Sequence, residues 1–184
     1  MPKLTTIIHE KLASHVQQGD FVIDATLGNG HDSAFLAIKV GEGGQVFSFD
    51  IQENSITNSR ELLTGANLIK RCTLKLSSHA NMDKEIPEKY HSKISTVMFN
   101  IGYLPGSNKT ITTNANSSII ACKKALTLLK PNGLISLIIY PGHSEGKIEA
   151  QKITEWINSL DKEYSYYYTQ YQKEKDPIAC IIKN

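Results

Sequence analysis

Apolar residues along the chain follow two alternating patterns, which predict alternating strands and helices. Short, nearly continuous apolar runs are typical of buried parallel strands, and apolar residues spaced by three or four positions are typical of helices packed on a sheet. The predicted helices cover residues 5–17, 32–40, 53–64, 115–129 and 146–160, and the predicted strands cover residues 21–23, 46–49, 73–76, 94–99, 134–140, 164–171 and 178–182.

The order of these elements predicts the fold class. Five successive strand–helix steps favour an α/β fold with a doubly wound, mostly parallel sheet. The last two strands are joined by the polar segment 172–177, which is short enough for an antiparallel hairpin. We therefore expect one domain over residues 1–184, built on a seven-stranded sheet that ends in a C-terminal antiparallel hairpin.

Composition narrows the class of protein. The chain has 40% apolar and 21% charged residues and a net charge of +2, which permits an anionic partner without requiring one. No apolar run is long enough to span a membrane, and residues 1–6 lack the apolar segment of a secretory signal. Cys72, Cys122 and Cys180 are widely spaced in or beside apolar segments. We expect a cytoplasmic protein with no membrane partner, no disulfide and no metal.

A glycine turn after the first strand is the strongest candidate for a binding site. Gly28-Asn29-Gly30 lies between a predicted strand and a predicted helix, where glycine lets the backbone turn sharply and approach a ligand. Asp50 ends the second strand, 22 residues beyond Gly28, a spacing at which an acid commonly accepts hydrogen bonds from ribose hydroxyls. Together, the turn and the acid predict an adenosine-containing cofactor.

The residues around the turn favour one such cofactor. A dinucleotide fingerprint has glycine or alanine where this chain has Ser33. A carboxylate at Asp24 would repel a pyrophosphate but attract the ammonium group of S-adenosylmethionine (SAM). The pattern resembles the first motif of class I SAM-dependent methyltransferases, with Thr26 where the first glycine often stands. SAM is the predicted cofactor; a dinucleotide, or a turn without a ligand, is the alternative.

The segment after the fourth strand indicates the acceptor of the methyl group. Residues 100–106 read Asn-Ile-Gly-Tyr-Leu-Pro-Gly and resemble the Asn-Pro-Pro-Tyr motif of methyltransferases that act on amines. An attacking amine must be neutral, and the Asn100 carbonyl can accept an N–H and direct the nitrogen lone pair without the charge that would stabilise ammonium. Tyr103 could stack on a planar base.

Four segments together resemble one family: residues 24–33, 49–52, 100–106 and 140–149. They are similar to the tRNA 5-aminomethyl-2-thiouridine methyltransferases, a family long labelled rRNA methylases. The resemblance covers nearly the whole chain and implies a Rossmann-like class I methyltransferase fold. It also implies methylation of the aminomethyl nitrogen of a wobble uridine, giving 5-methylaminomethyl-2-thiouridine, with the tRNA anticodon arm as partner.

The motifs and the resemblance give a set of candidate site residues. Ser78-His79 stands where the family's pattern has Ser-His and where adenine is held. His143 follows the fifth strand and could touch substrate or act as a base, and Lys109 is a candidate phosphate contact. The predicted cofactor residues are Asp24, Thr26, Gly28, Asn29, Gly30, Asp32, Asp50, Ile51, Gln52, Ser78, His79 and Asn100. The predicted substrate residues are Tyr103, Leu104, Pro105, Gly106, Lys109, Tyr140, Gly142 and His143, and the predicted catalytic residues are Asn100, Tyr103 and His143.

Other functions stay open at this point. The modest positive charge is also compatible with methylation of rRNA or of a small-molecule amine. A non-catalytic nucleotide-binding module is a further alternative, but such a module needs no amine-holding loop at Asn100. A homodimer is neither required nor excluded.

Overall fold

The computed structural model describes residues 3–102, 115–142, 144–161, 164–169 and 176–184. The helices of this part of the chain are α1 Leu4–Ala13, α2 His31–Val40, α3 Glu53–Gly65, α4 Met82–Glu85, α5 Ala115–Leu128 and α6 Ser144–Asn158. The strands are β1 Phe21–Asp24, β2 Gln45–Asp50, β3 Cys72–Leu76, β4 Ile94–Ile101, β5 Leu129–Ile139, β6 Ser165–Thr169 and β7 Ile178–Lys183.

The seven strands form one sheet in the order β3-β2-β1-β4-β5-β7-β6. The first five strands in this order are parallel, and β7 pairs antiparallel with both β5 and β6. The mostly parallel doubly wound sheet and its C-terminal antiparallel hairpin are therefore confirmed.

The two faces of the sheet each support a separate core. Because side chains alternate along a strand, neighbours such as Val22 and Ile23 in β1 point to opposite faces. Val22 belongs to the cluster that contains Leu12 of α1 and Leu36 of α2, whereas Ile23 belongs to the cluster that includes residues of α5 and α6. Burial on both faces explains the apolar runs 21–23 in β1, 97–99 in β4 and 137–139 in β5.

The sequence misplaces three local features. The segment 130–133, which lies between a predicted helix and a predicted strand, is a bulge inside β5. Ile94 pairs with Leu129 and Thr96 with Leu134, so four residues of β5 stand opposite the single residue Ser95 of β4. Helix α1 ends at Ala13 rather than at residue 17, because the apolar spacing continues into a non-helical turn that still buries Val16. The short helix α4 is not predicted at all.

The site is positioned by the reversal of strand order at β1. β2 and β3 lie on one side of β1, and β4 and β5 lie on the other, so the connections at the carboxyl ends of β1 and β4 diverge and leave a crevice. The turn between β1 and α2 borders this crevice, and it requires positive φ at Gly28 (53°) and Gly30 (81°). Within the described residues, no helix has the length and apolar character to cross a membrane.

Replacing Gly30 with alanine tests how tightly this turn is packed. A Cβ at position 30 would stand 2.8 Å from Ser59 Oγ, in a backbone conformation that L side chains rarely adopt. We expect Gly30→Ala to lower the free energy of unfolding by about 1–3 kcal/mol in urea titrations. Gly65→Ala is the matched control, because nothing lies within 4 Å of that position and its φ is ordinary. Equal stability of the two variants would contradict this packing.

Candidate cofactor and substrate site

A cavity of about 950 Å³ lies at the carboxyl ends of the strands, where the sequence predicts the site. Its wall contains most of the predicted cofactor residues and one predicted substrate residue: Thr26, Gly28, Asn29, Asp32, Asp50, Ile51, Gln52, Ser78, His79, Asn100 and Tyr140. The start of α1 adds Lys3, Leu4, Thr5 and His9, which sequence reasoning does not identify.

The remaining predicted residues fall into two groups: Asp24, Gly30 and Gly142 are described but lie outside the lining, and the others lie outside the described residues. Gly30 caps α2 behind the cavity wall, and Gly142 is exposed and outside the lining. Tyr103, Leu104, Pro105, Gly106, Lys109 and His143 lie outside the described residues.

Asp50 holds the glycine turn from the neighbouring strand. Its Oδ2 accepts the main-chain N–H of Gly28 at 2.9 Å, and its Oδ1 accepts the N–H of Gln52 at 2.9 Å. Ser59 donates to the Gly28 carbonyl at 3.0 Å from the other side. Because each carboxylate oxygen accepts two hydrogen bonds, Asp50 keeps capacity for ligand hydroxyls at the cavity wall.

Asp24 lies beneath the turn and not in the cavity wall. It is fully buried; its Oδ1 accepts the Thr26 N–H at 3.1 Å and its Oδ2 accepts the Ser33 hydroxyl at 2.6 Å. The Ser33 hydroxyl is also 2.7 Å from the Ser48 hydroxyl. Serine therefore forms hydrogen bonds at a position where alanine or glycine would contribute packing alone. Direct contact of Asp24 with a ligand ammonium, expected from its place beside the turn, does not fit this geometry.

Burial makes Asp24 an unusual acid. Loss of water around the carboxylate, together with the negative charge of Asp32, raises the pKa of Asp24 from its usual 3.8 to about 7. The hydrogen bonds from Ser33 and Thr26 act in the opposite direction. The group therefore favours its protonated form in the fold far more than it does in an unfolded chain.

Asn100 joins β4 to the turn and to α2. Its main-chain N–H donates to Thr26 Oγ1 at 2.7 Å, and its side-chain Nδ2 donates to Asp32 Oδ2 at 3.3 Å. The other oxygen of Asp32 lies 2.8 Å from His9 Nε2. His9 itself is stacked on Phe35, with ring centroids 3.9 Å apart and planes inclined by 2°. No sequence signal marks His9, which reads as a polar position on an amphipathic helix.

Tyr140 closes the wall next to Asn100. A Cβ on Gly102 would stand 3.2 Å from Tyr140 Cδ2, so glycine at that position permits the close approach of the ring. Burial, and then the charge of Asp32, raises the pKa of the Tyr140 hydroxyl above its usual value. The phenol therefore stays protonated and available as a hydrogen-bond donor.

Comparison with known proteins shows which family the chain belongs to. The sequence model of the family described as "Putative rRNA methylase" matches residues 46–183, which is most of the chain. The chain belongs to this family.

Relatives and solved structures agree with that membership. The Arabidopsis thaliana protein named tRNA (mnm(5)s(2)U34)-methyltransferase, chloroplastic, is 36% identical over 98% of this chain and 68% of its own length. A "putative rRNA-methylase" of Clostridium thermocellum superposes with a TM-score of 0.94 at 39% identity, over 100% of this chain and 98% of that one. A "putative methyltransferase" of Streptococcus mutans in complex with SAH superposes with a TM-score of 0.87 at 26% identity, over 100% of this chain and 98% of that one.

This member of the rRNA methylase family is therefore a SAM-dependent methyltransferase with a Rossmann-like class I fold, as predicted. SAM supplies an electrophilic methyl group when it is bound. Among the described residues, no three His, Cys, Asp or Glu side chains are grouped so that they could hold a metal ion.

One unpartnered atom of the methyltransferase bears on whether SAM fits the cavity. His79 Nδ1 lies 3.0 Å from the Ala25 carbonyl, which only accepts, so Nδ1 carries the proton and Nε2 is an acceptor. Nε2 is buried without a partner in the described part of the chain, and His79 is part of the cavity wall. Burial lowers the pKa of His79 and favours this neutral form. An N–H or O–H group of a ligand, such as the amino group of adenine, would supply the donor that this acceptor lacks.

The raised pKa of Asp24 predicts how stability changes with pH. An acid whose pKa is raised by folding adds stability that is present below its unfolded value of 3.8 and is lost as the pH rises through about 7. We expect Asp24→Asn to gain stability relative to the wild type between pH 5 and pH 8, by roughly 1–3 kcal/mol. Urea titrations of both proteins at each pH measure this difference. A difference independent of pH would contradict the raised pKa.

Proposed function

We propose that this methyltransferase transfers the methyl group of SAM to the aminomethyl nitrogen of 5-aminomethyl-2-thiouridine at the wobble position of tRNA. The product is 5-methylaminomethyl-2-thiouridine. The observation that carries the proposal is the placement of Asn100 and Asp32 side by side in the wall of a cavity at the strand ends. The name of the Arabidopsis relative supports the same substrate.

The polar groups beside Asn100 suit an amine. Because Nδ2 of Asn100 donates to Asp32, its Oδ1 is the end of the amide that can accept an N–H from a substrate. An acceptor without charge orients the nitrogen lone pair without favouring the ammonium form, which has no lone pair to attack with. We propose Asn100 as a catalytic residue in this sense. The assignment of Tyr103 and His143 to catalysis stays a prediction. So does the assignment to substrate of Tyr103, Leu104, Pro105, Gly106, Lys109, Tyr140, Gly142 and His143.

The cofactor roles follow from which carboxylates reach the wall. We assign the ribose hydroxyls to Asp50, whose oxygens accept one main-chain N–H each. We assign the ammonium group to Asp32, because Asp32 lines the cavity and Asp24 does not. Ile51, 58% exposed beside Asp50, offers an apolar surface for adenine, and the unpartnered nitrogen of His79 offers an acceptor.

A second candidate function is methylation of rRNA. It is favoured by the family's description and by the Ribosomal RNA small subunit methyltransferase H of Brevibacillus brevis, which is 28% identical over 48% of this chain and 27% of its own length. The Arabidopsis relative matches at higher identity over twice the share of this chain, which favours tRNA.

Partners and location belong to the same proposal. We propose the tRNA anticodon arm as the partner and residues 1–184 as one catalytic domain. Cytoplasmic location stays a prediction, since the Arabidopsis relative is named as chloroplastic. Pairing into a homodimer likewise stays a prediction.

Nucleoside analysis tests the substrate directly. We expect tRNA from cells that lack the gene to accumulate 5-aminomethyl-2-thiouridine at the expense of its methylated form. SAM is still present in these cells, but the enzyme that transfers its methyl group to the amine is missing. Liquid chromatography with mass spectrometry of digested tRNA and rRNA measures both nucleosides, and expression of the wild-type gene is the control. An unchanged tRNA profile with a methyl group missing from rRNA would favour the second candidate.

Two substitutions separate catalysis from cofactor binding. Asn100→Ala should reduce kcat at least 100-fold with SAM affinity within about 3-fold, because it removes the acceptor for the amine. Asp50→Ala should weaken SAM binding by about 10–100-fold, because hydrogen bonds to a charged acceptor are lost. Calorimetry and single-turnover methylation measure the two effects. Wild-type turnover in Asn100→Ala, or unchanged SAM affinity in Asp50→Ala, would remove the respective role.

A further inference from the structure

We propose that His9 is a positioning residue for methyl transfer: through Asp32 it fixes the side-chain amide of Asn100 with its oxygen toward the cavity. This inference rests on the proposed amine substrate. His9 belongs to α1, Asp32 to α2 and Asn100 to β4, so three separate elements meet at one hydrogen-bonded chain.

The Asn100 amide needs an external group to choose between two orientations. Its oxygen and nitrogen ends have nearly the same shape, but only the oxygen can accept an N–H from an amine. The main chain is already fixed by the 2.7 Å bond from the Asn100 N–H to Thr26 Oγ1. Rotation of the side-chain amide is therefore the freedom that remains.

Asp32 decides that rotation. A carboxylate accepts hydrogen bonds and does not donate them, so the end of the Asn100 amide that lies 3.3 Å from Asp32 Oδ2 must be the NH₂ group. The opposite end is then Oδ1. A reversed amide would place two acceptors against each other and lose this bond.

His9 decides where the Asp32 carboxylate points. Its Nε2 lies 2.8 Å from Oδ1, which leaves Oδ2 for Asn100. Without this donor, the carboxylate can turn about its Cβ–Cγ bond and the fixed direction of Oδ2 is lost.

The position of His9 is itself fixed by more than one contact. Its ring stacks in parallel on Phe35, one turn along α2 from Asp32, and its neighbour Ile8 is buried against the sheet. Because the ring, the carboxylate and the aromatic platform are all held, the amide is oriented before a substrate arrives. Such preorganisation raises the rate of a transfer that depends on alignment.

Three variants test the role in kinetics. We expect His9→Ala to lower kcat by about 10-fold while KM for tRNA changes less than 3-fold, because alignment and not tRNA affinity is lost. His9→Gln should recover most of kcat, since its amide can donate to Asp32. His15→Ala is the matched control: His15 follows α1 and lies 3.2 Å from the Ser95 carbonyl, away from Asp32. An unchanged kcat in His9→Ala would overturn the proposal.

A second readout does not depend on activity. The Asn100 side-chain NH₂ resonance, identified by its loss in Asn100→Ala, should show a hydrogen-bonded proton in wild type and in His9→Gln. In His9→Ala this proton should shift upfield and exchange faster with water. The same resonance in wild type and His9→Ala would overturn the positioning role. If the wild type fails to methylate tRNA, the proposed substrate is wrong, and this resonance alone decides the role of His9.

Discussion

The main-chain N–H and C=O groups from Ala25 to Gly30 need hydrogen-bond partners although this segment borders an open cavity. The rest of the site depends on which residues supply those partners. No regular helix or strand passes through this turn. Its Gly30 N–H donates to the Leu27 carbonyl within the turn, and other elements supply further partners. The Ala25 and Leu27 N–H groups donate to the carbonyls of Met98 and Phe49 on the flanking strands. His79 is bonded to the Ala25 carbonyl, and Asp50 accepts from Gly28. The same contacts that hold the backbone thus bring candidate ligand groups to the cavity.

The two carboxylates near the turn differ in role because they differ in access to solvent. Asp24 is enclosed by Thr26, Ser33 and Ser48, so its charge is costly and its hydrogen bonds serve the turn. Asp32 reaches the cavity wall and links α1 to β4. In sequence both acids flank the glycines, and which of them faces the ligand is decided by the packing of α2 on the sheet.

Fold and site differ in how far sequence predicts them. Continuous apolar runs in β4 and β5 indicate strands buried on both faces, and Gly30 indicates a turn with positive φ. Both features can be predicted from a few neighbouring residues. The bulge at 130–133 is not, because Asn132-Gly133 has the composition of a free turn, and the segment lies within β5 only because Leu129 and Leu134 on either side of it both pair with β4. The role of His9 cannot be predicted for a similar reason. Its partner Asp32 is 23 positions away, Asn100, which Asp32 contacts, is 91 positions away, and no periodicity relates them.

The insertion of β7 between β5 and β6 bears on how the chain is made. Among the described residues, β7 is the one strand that pairs with β6, and the outer edge of β5 is covered by β7 from Ile139↔Ile178 to Leu134↔Lys183. During synthesis, both strands emerge before the strand that joins them. Until Ile178–Lys183 leaves the ribosome, the edge of β5 is an apolar template that other nascent chains can pair with. The edge of β5 is thus covered only after β6 has been made, and ribosome pausing ahead of β7 would prolong its exposure.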